Sequence, residues 1–296
     1  MNSNLIRTGG SSIILGPGYY GDFLPSKKNK LLKITKIRNT HNEFKYLDIV
    51  RSIPNYKDYY SIPDETAYLL DKTYDFYEKI RLLVKKEQMD IFDNVLYCYY
   101  IDYAGEKDVH TTINELHNLG YSNIWSSYKK ILKFTKHIIK GLTFLHEHKI
   151  CHLDIKAENI MVFNNSFKII DFGFCSIEPF DDYVFNIKGT PGYLPFQFLT
   201  QKFTPIFPKI ETNDLDKINY QIPMIYDRKL VYKIDSYCFG RLLYCLIYVY
   251  NDMKTYCCFN SEKQSQSKLN TIIKDLLNKN VFYRLTAQQC LTKYFS

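Results

Sequence analysis

The stretch that constrains this chain most is His152-Leu-Asp154-Ile-Lys156-Ala-Glu-Asn159, followed one turn later by Asp171-Phe172-Gly173. Between them, Asn159-Ile-Met-Val-Phe163 and Phe167-Lys-Ile-Ile170 flank Asn164-Asn165-Ser166. Adjacent asparagines tolerate positive φ, so the spacing predicts a tight hairpin. That hairpin brings the loop ending in Asn159 beside the loop carrying Asp171, two oxygen ligands side by side. Mg²⁺ is a hard cation that takes oxygen ligands and accompanies substrate phosphates. Asp154 and Lys156, two apart in an extended loop, point the same way and supply a carboxylate base and a cation. Transfer of a phosphoryl group to a hydroxyl requires that pair. The plain alternatives are a capped loop for 154–159 and an ordinary turn at 171–173; their linkage through one hairpin speaks against both.

These residues also carry a resemblance. HLDIKAEN matches the pattern H-R-D-x-K-x-x-N except at one position, and DFG is matched in full, so the chain resembles eukaryotic-type protein kinases, Ser/Thr-specific. Gly189-Thr190-Pro191-Gly192-Tyr193 resembles the segment closing the activation loop. Lys233-Ile-Asp235-Ser-Tyr-Cys-Phe-Gly240 resembles the helix that anchors the catalytic loop, and Asp102-Tyr103-Ala104-Gly105 the hinge that hydrogen-bonds adenine. The resemblance implies a bilobal α+β fold binding ATP with Mg²⁺ between a small sheet-rich lobe and a larger helical one. Asp154 would then deprotonate the substrate hydroxyl, Lys156 neutralise the transferring phosphate, Thr190 help position the substrate, and Asn159 and Asp171 hold the metal. His152 would be structural, packing beneath Phe172.

Toward the front, a phosphate-covering loop needs glycines so that backbone N–H groups can approach the nucleotide. Arg7-Thr-Gly9-Gly10-Ser-Ser12-Ile-Ile14 fits the family's loop with Arg7 and Ser12 in place of glycines. Gly16-Pro-Gly18-Tyr-Tyr-Gly21 fits G-x-G-x-x-G literally but reads better as a turn between strands. Lys33, in the strand LLKITKI (31–37), is the expected phosphate-contacting lysine, with Lys36 its rival; Leu31 stands where a small alanine is usual. Glu43 is its expected ion-pair partner, although Thr40-x-x-Glu43 is also a capping box; Glu65 is the second choice.

Three departures have consequences. Leu153 replaces the arginine that grips a phosphorylated activation loop, so activity need not wait for that modification. Phe196-Gln197 stands for Pro-Glu, and Gln197 would meet Arg284 through an uncharged and weaker hydrogen bond. The weakly patterned segment 198–228 reads as an insertion and a possible docking surface.

With 296 residues, 46% hydrophobic and 24% charged, the chain is globular and able to bury a large core. One kinase domain is expected throughout, with an N-lobe of about 1–101, a hinge near 102–106 and a C-lobe of about 107–296. Lys+Arg 39 against Asp+Glu 31 gives +8, and the basic residues look scattered rather than striped, so a solvated surface is expected and no nucleic acid partner. The opening MNSNLIRTGG lacks the apolar core of a signal peptide, and Leu242–Tyr250 is too short to span a bilayer. Eight cysteines without C-x-x-C or zinc spacing suggest reduced thiols in a cytoplasmic monomer away from membranes, acting on protein substrates. His137, His146 and His148 read as helix-face residues. Usage skewed toward AT-rich codons fits kinases of large DNA viruses or AT-rich protists, the former acting in host cytoplasm. The rival from another class is a pseudokinase scaffold; the retained Lys33, Glu43, Asp154, Lys156, Asn159 and Asp171 argue against it.

Overall fold

A computed structural model of the chain describes residues 5–9, 12–16, 30–36, 44–71, 75–86, 95–105, 107–115, 125, 127–163, 166–178, 189–190, 192–195, 228–254 and 262–296. The chain forms two compact units, Met1–Glu106 with Ile170–Gly173, and Lys107–Ile169 with Phe174–Ser296. The first is sheet-rich and the second mainly helical, the α+β division expected for a bilobal kinase fold.

In the first unit, β1 (Leu5–Gly9), β2 (Ser12–Leu15), β3 (Lys30–Lys36), β4 (Pro63–Asp71) and β5 (Val95–Asp102) form an antiparallel sheet in the order β1-β2-β3-β5-β4. β3 lies at its centre, and both faces are covered: Leu32 and Ile34 on one, Leu31, Lys33 and Thr35 on the other. Burial on both faces fits residues 31–35, whose one charge is that of Lys33. The register sets Lys33 between Ile14 of β2 and Tyr99 of β5. Gly9 pairs with Ser12, so β1 and β2 join through a two-residue connection, Gly10-Ser11, itself outside the described residues. Two short helices, α1 (Leu47–Ser52) and α2 (Tyr56–Tyr59), precede β4. A third, α3 (Asp75–Lys86), turns Phe76, Tyr77 and Ile80 inward while Glu78, Lys79 and Arg81 stay exposed.

In the second unit, β6 (Lys107–Asp108) leads into α4 (Val109–Asn114), capped by the Asp108 side chain on the Thr111 amide. The long α5 (Tyr128–Glu147) follows, its first turn capped by Ser127. It buries Ile131, Phe134, Ile138, Ile139, Leu142 and Leu145, the helical stripe legible in the sequence. After β7 (Ile150–Cys151), the expected hairpin forms from β8 (Ile160–Phe163) and β9 (Ser166–Ile169), with Phe163 opposite Ser166. The short β10 (Ser176–Ile177) pairs with β7. The remainder is α6 (Tyr232–Lys254), α7 (Lys263–Leu276) and α8 (Ala287–Phe295), the last opened by a Thr286/Gln289 capping box. Gly240 permits the close approach of α6 and α7, since a Cβ there would lie 2.8 Å from Cβ of Leu276. Trp125, fully buried, stacks on Phe167 and meets Phe134 edge-on. Most of 198–228 lies outside the described residues. No described helix is long and apolar enough to cross a membrane.

All six described cysteines are buried, and none of them is in a disulfide. Burial pushes the Cys98 and Cys290 thiols up to about 12 and Cys245 to about 11, and raises Cys151 and Cys238 well above their ordinary value. Above about pH 9 the unfolded chain therefore releases thiol protons that the native chain keeps. Stability is fully present below that pH and is lost as pH rises toward 11–12. Scanning calorimetry should show a melting midpoint lower by about 5 °C or more at pH 10 than at pH 8. A flat midpoint across that interval would contradict the buried thiols.

Candidate active site

The segment 152–159 is anchored from beneath by Asp235, in the first turn of α6. One Asp235 oxygen accepts the Leu153 amide at 2.7 Å; the other accepts the His152 amide at 2.8 Å and the Cys151 thiol at 3.2 Å. The second oxygen also lies 3.0 Å from Nε2 of His146. Burial opposes ionisation of this fully buried carboxyl, but the His146 contact and the amide bonds outweigh it and hold its pKa below the ordinary carboxylate value. His146, Cys151 and Asp235 are the one group of metal-ligand types found together among the described residues. Both oxygens of Asp235 already accept backbone amides, which accounts for the cluster without a metal. Leu153 is buried at φ 65°, a conformation costly for a residue with a Cβ, and its amide bond to Asp235 helps hold it there.

Above this anchor, the expected catalytic residues of the second unit converge. Asp154, 2% exposed, accepts the Thr190 hydroxyl on Oδ1 at 2.7 Å. Its Oδ2 lies 2.9 Å from Nζ of Lys156 and accepts Nδ2 of Asn159 at 2.9 Å. Lys156 also donates to Oγ1 of Thr190 at 2.8 Å. Asn159 spends its second amide proton on the Asp154 carbonyl, also at 2.9 Å, which leaves its Oδ1 without a protein donor among the described residues. Such an oxygen suits a hard cation. Thr190 reaches Asp154 because Gly189 passes close beneath it: at φ 121°, a Cβ there would sit 2.7 Å from the Leu153 carbonyl oxygen. The phenol oxygen of Tyr193 accepts the Ala157 amide, and Arg241 donates to the Gly192 carbonyl, tying this segment to its surroundings. Burial, aided by Glu158, pushes the Tyr193 phenol upward.

In the first unit, Nζ of Lys33 lies 3.5 Å from Oδ1 of Asp171 and 5.9 Å from the Tyr99 ring centroid. Lys33 is 7% exposed, whereas the Asp171 side chain keeps 41% exposure, as a carboxylate open to a cation should. Asp171 adopts φ 66°, and the next residue, Phe172, is buried edge-on against Tyr60. The Asp102 carboxylate is engaged by Lys30 at 2.8 Å, a lysine that also holds Asp64 at 2.6 Å. Burial lowers the Lys30 pKa, but the two carboxylates more than offset it and leave it raised. The Asp102 carbonyl accepts the Ser61 hydroxyl at 2.8 Å, and Ala104 is buried nearby in the chain. Ile14 is half-buried opposite Lys33. Arg7 and Gly9 lie on β1, Lys36 ends β3, and Glu65 lies on β4, not at the head of a helix. Glu43, Gly10 and Gln197 lie outside the described residues, as does Gly18-Tyr-Tyr-Gly21. Arg284 is 1% exposed, donating to the Asn278 carbonyl and resting 4.6 Å from the Tyr237 ring; burial lowers its pKa to about 10.

Two participants escaped sequence reasoning. His146 reads as a helix-face residue, yet it contacts Asp235, 89 positions away. Tyr60 supports Phe172 across more than a hundred residues. Neither carries a local signal, because each is defined only by its distant partner.

A family model for the protein kinase domain matches residues 83–296, and the chain belongs to that family. Among curated proteins, the probable serine/threonine-protein kinase irlA of Dictyostelium discoideum is 24% identical over 204 residues, 68% of this chain and 13% of that protein. Serine/threonine-protein kinase 17A of Oryctolagus cuniculus is 34% identical over 76 residues, 24% of this chain and 19% of that protein. The chain thus spans less than a fifth of the length of either relative.

Proposed function

We propose that this chain is an ATP-dependent protein kinase that transfers the γ-phosphate to Ser or Thr hydroxyls of proteins. The observation that carries the reading is the Asp154 carboxylate, held between Lys156 and Thr190 with Asn159 beneath it. A substrate hydroxyl would take the place of the Thr190 hydroxyl near Oδ1, where Asp154 accepts its proton as the oxygen attacks phosphorus. Lys156 stabilises charge on the transferred group, and Lys33, held in place by burial, contacts the nucleotide phosphates. Asn159 and Asp171 supply oxygen ligands of the hard type that Mg²⁺ takes. Such an ion would neutralise phosphate charge. The backbone of Asp102 and Ala104 would meet adenine, the Asp102 carbonyl offering its second lone pair beside the Ser61 hydroxyl, since the Asp102 carboxylate is taken by Lys30. Buried Leu153 offers no charge to a phosphorylated loop, so activity is expected without prior phosphorylation.

The test is transfer of label from γ-labelled ATP to a mixed protein substrate, with phosphoamino-acid analysis. Label on Ser and Thr, lost on chelation of Mg²⁺, is the expected result for unphosphorylated enzyme. Absence of label, or label on Tyr alone, would overturn the assignment.

A further inference from the structure

Lysines that look dispersed in the sequence are gathered by α5 into a row. Lys129, Lys133, Lys136 and Lys140 recur at intervals of four, three and four, which at 3.6 residues per turn places them within an arc of about 60°. The row is about 16 Å long, at a rise of 1.5 Å per residue. Lys130 flanks it, and the first three lysines of the row, with Lys130, are exposed. Lys168 extends the basic surface: it points outward from β9 one residue after Phe167, whose carbonyl lies 2.8 Å from the α5 ring of His137. None of these lysines has a carboxylate within ion-pair distance among the described residues. Of the acids that contact α5, Glu262 is spent on the Tyr128 amide and Asp235 lies against His146 and the 151–153 backbone. Helices ordinarily set acids three or four residues from such lysines to relieve like-charge repulsion. Here α5 has none before Glu147.

We infer that this row is a docking surface for an extended acidic segment of a protein partner. A strand presents alternate side chains on one face about every 6.6 Å. The lysine steps along the helix are about 4.5–6 Å, so successive carboxylates can meet successive ammonium groups. The chemistry favours this occupant over the other polyanions. The row contains no arginine to grip phosphates in bidentate fashion and no exposed aromatic ring on which a base could stack. The larger apolar residues of α5 face the core, with Leu132 and Phe144 half-buried, so the helix exposes no apolar stripe to insert into a membrane. Opposite charge along a ridge speeds encounter and selects partners more than it tightens the final complex.

The experiment measures fluorescence anisotropy of a labelled peptide in which Glu alternates with Ala over about 12 residues. It uses the full chain without nucleotide, so its outcome is independent of whether phosphoryl transfer occurs. Wild type should bind, more weakly as salt rises. The triple variant Lys133→Gln/Lys136→Gln/Lys140→Gln should bind at least about tenfold more weakly at an unchanged melting midpoint. A second triple variant, Lys45→Gln/Lys57→Gln/Lys79→Gln, removes the same charge from exposed sites of the other unit and should keep wild-type affinity. Equal weakening by both triples would show a non-specific charge effect and sink the proposal. So would an absence of peptide binding by wild type, or tighter binding of a short DNA duplex or phosphatidylserine vesicles than of the peptide.

Discussion

Asp154→Asn is expected to lower kcat by about 10²–10⁴-fold, the range that a positioned proton acceptor contributes. The carboxylate accepts from Thr190, Lys156 and Asn159 at once. An amide in its place can accept on one atom only, and its NH₂ must then face another donor. The variant therefore loses the base and also turns Lys156 away from the reacting phosphate. The nucleotide contacts proposed for the first unit, including those of the Lys33–Asp171 pair, are untouched. The KM for ATP should accordingly move little, which marks the loss as one of transition-state stabilisation. Steady-state kinetics decide it: a kcat within about threefold of wild type would remove Asp154 from the chemistry.

The largest loss of stability is expected from Asp235→Ala, about 3–5 kcal/mol. Truncation strands the buried amides of His152 and Leu153 together with His146 in a site with no water access, since Asp235 is fully buried. Leu153 also loses the bond that helps keep it at positive φ, so the strained turn before Asp154 is free to relax. A melting midpoint lower by about 6 °C or more should accompany a lower kcat, whereas Asp154→Asn should change kcat at a near-constant midpoint. Asp235→Asn keeps one carbonyl acceptor and should recover part of the loss. Were Asp235→Ala to melt like wild type, the anchoring of the 152–159 loop by α6 would be wrong.

Much of the site was legible because its chemistry is local. HLDIKAEN, the two strands after it and DFG lie within about twenty residues, a range over which side-chain type and turn propensity act directly. Ile160–Phe163 and Ser166–Ile169 pair as the hairpin that the sequence Asn164-Asn165 announced. The apolar period of α5 declared both the helix and its buried face. Less was readable at the front. β4 carries PDETAYLL, in which an acid precedes leucines much as it would in a helix, and only pairing with β5 makes it a strand. The engagement of the Asp102 carboxylate by Lys30 could not be read either, since the two residues are 72 positions apart and meet only across the β3–β5 ladder.

By itself, the order of residues determined which groups can bind a cation, accept a proton and carry charge, and it placed them on loops at the ends of short strands. Tertiary structure decided what each group faces. It sank Asp235 beneath the 152–159 loop beside His146, backed Phe172 with Tyr60, and lined four lysines of α5 along one ridge. The physical reason is range: propensity and periodicity act over a few residues, whereas a buried carboxylate or an unrelieved row of charge is defined by the atoms that folding brings, or fails to bring, within a few ångströms.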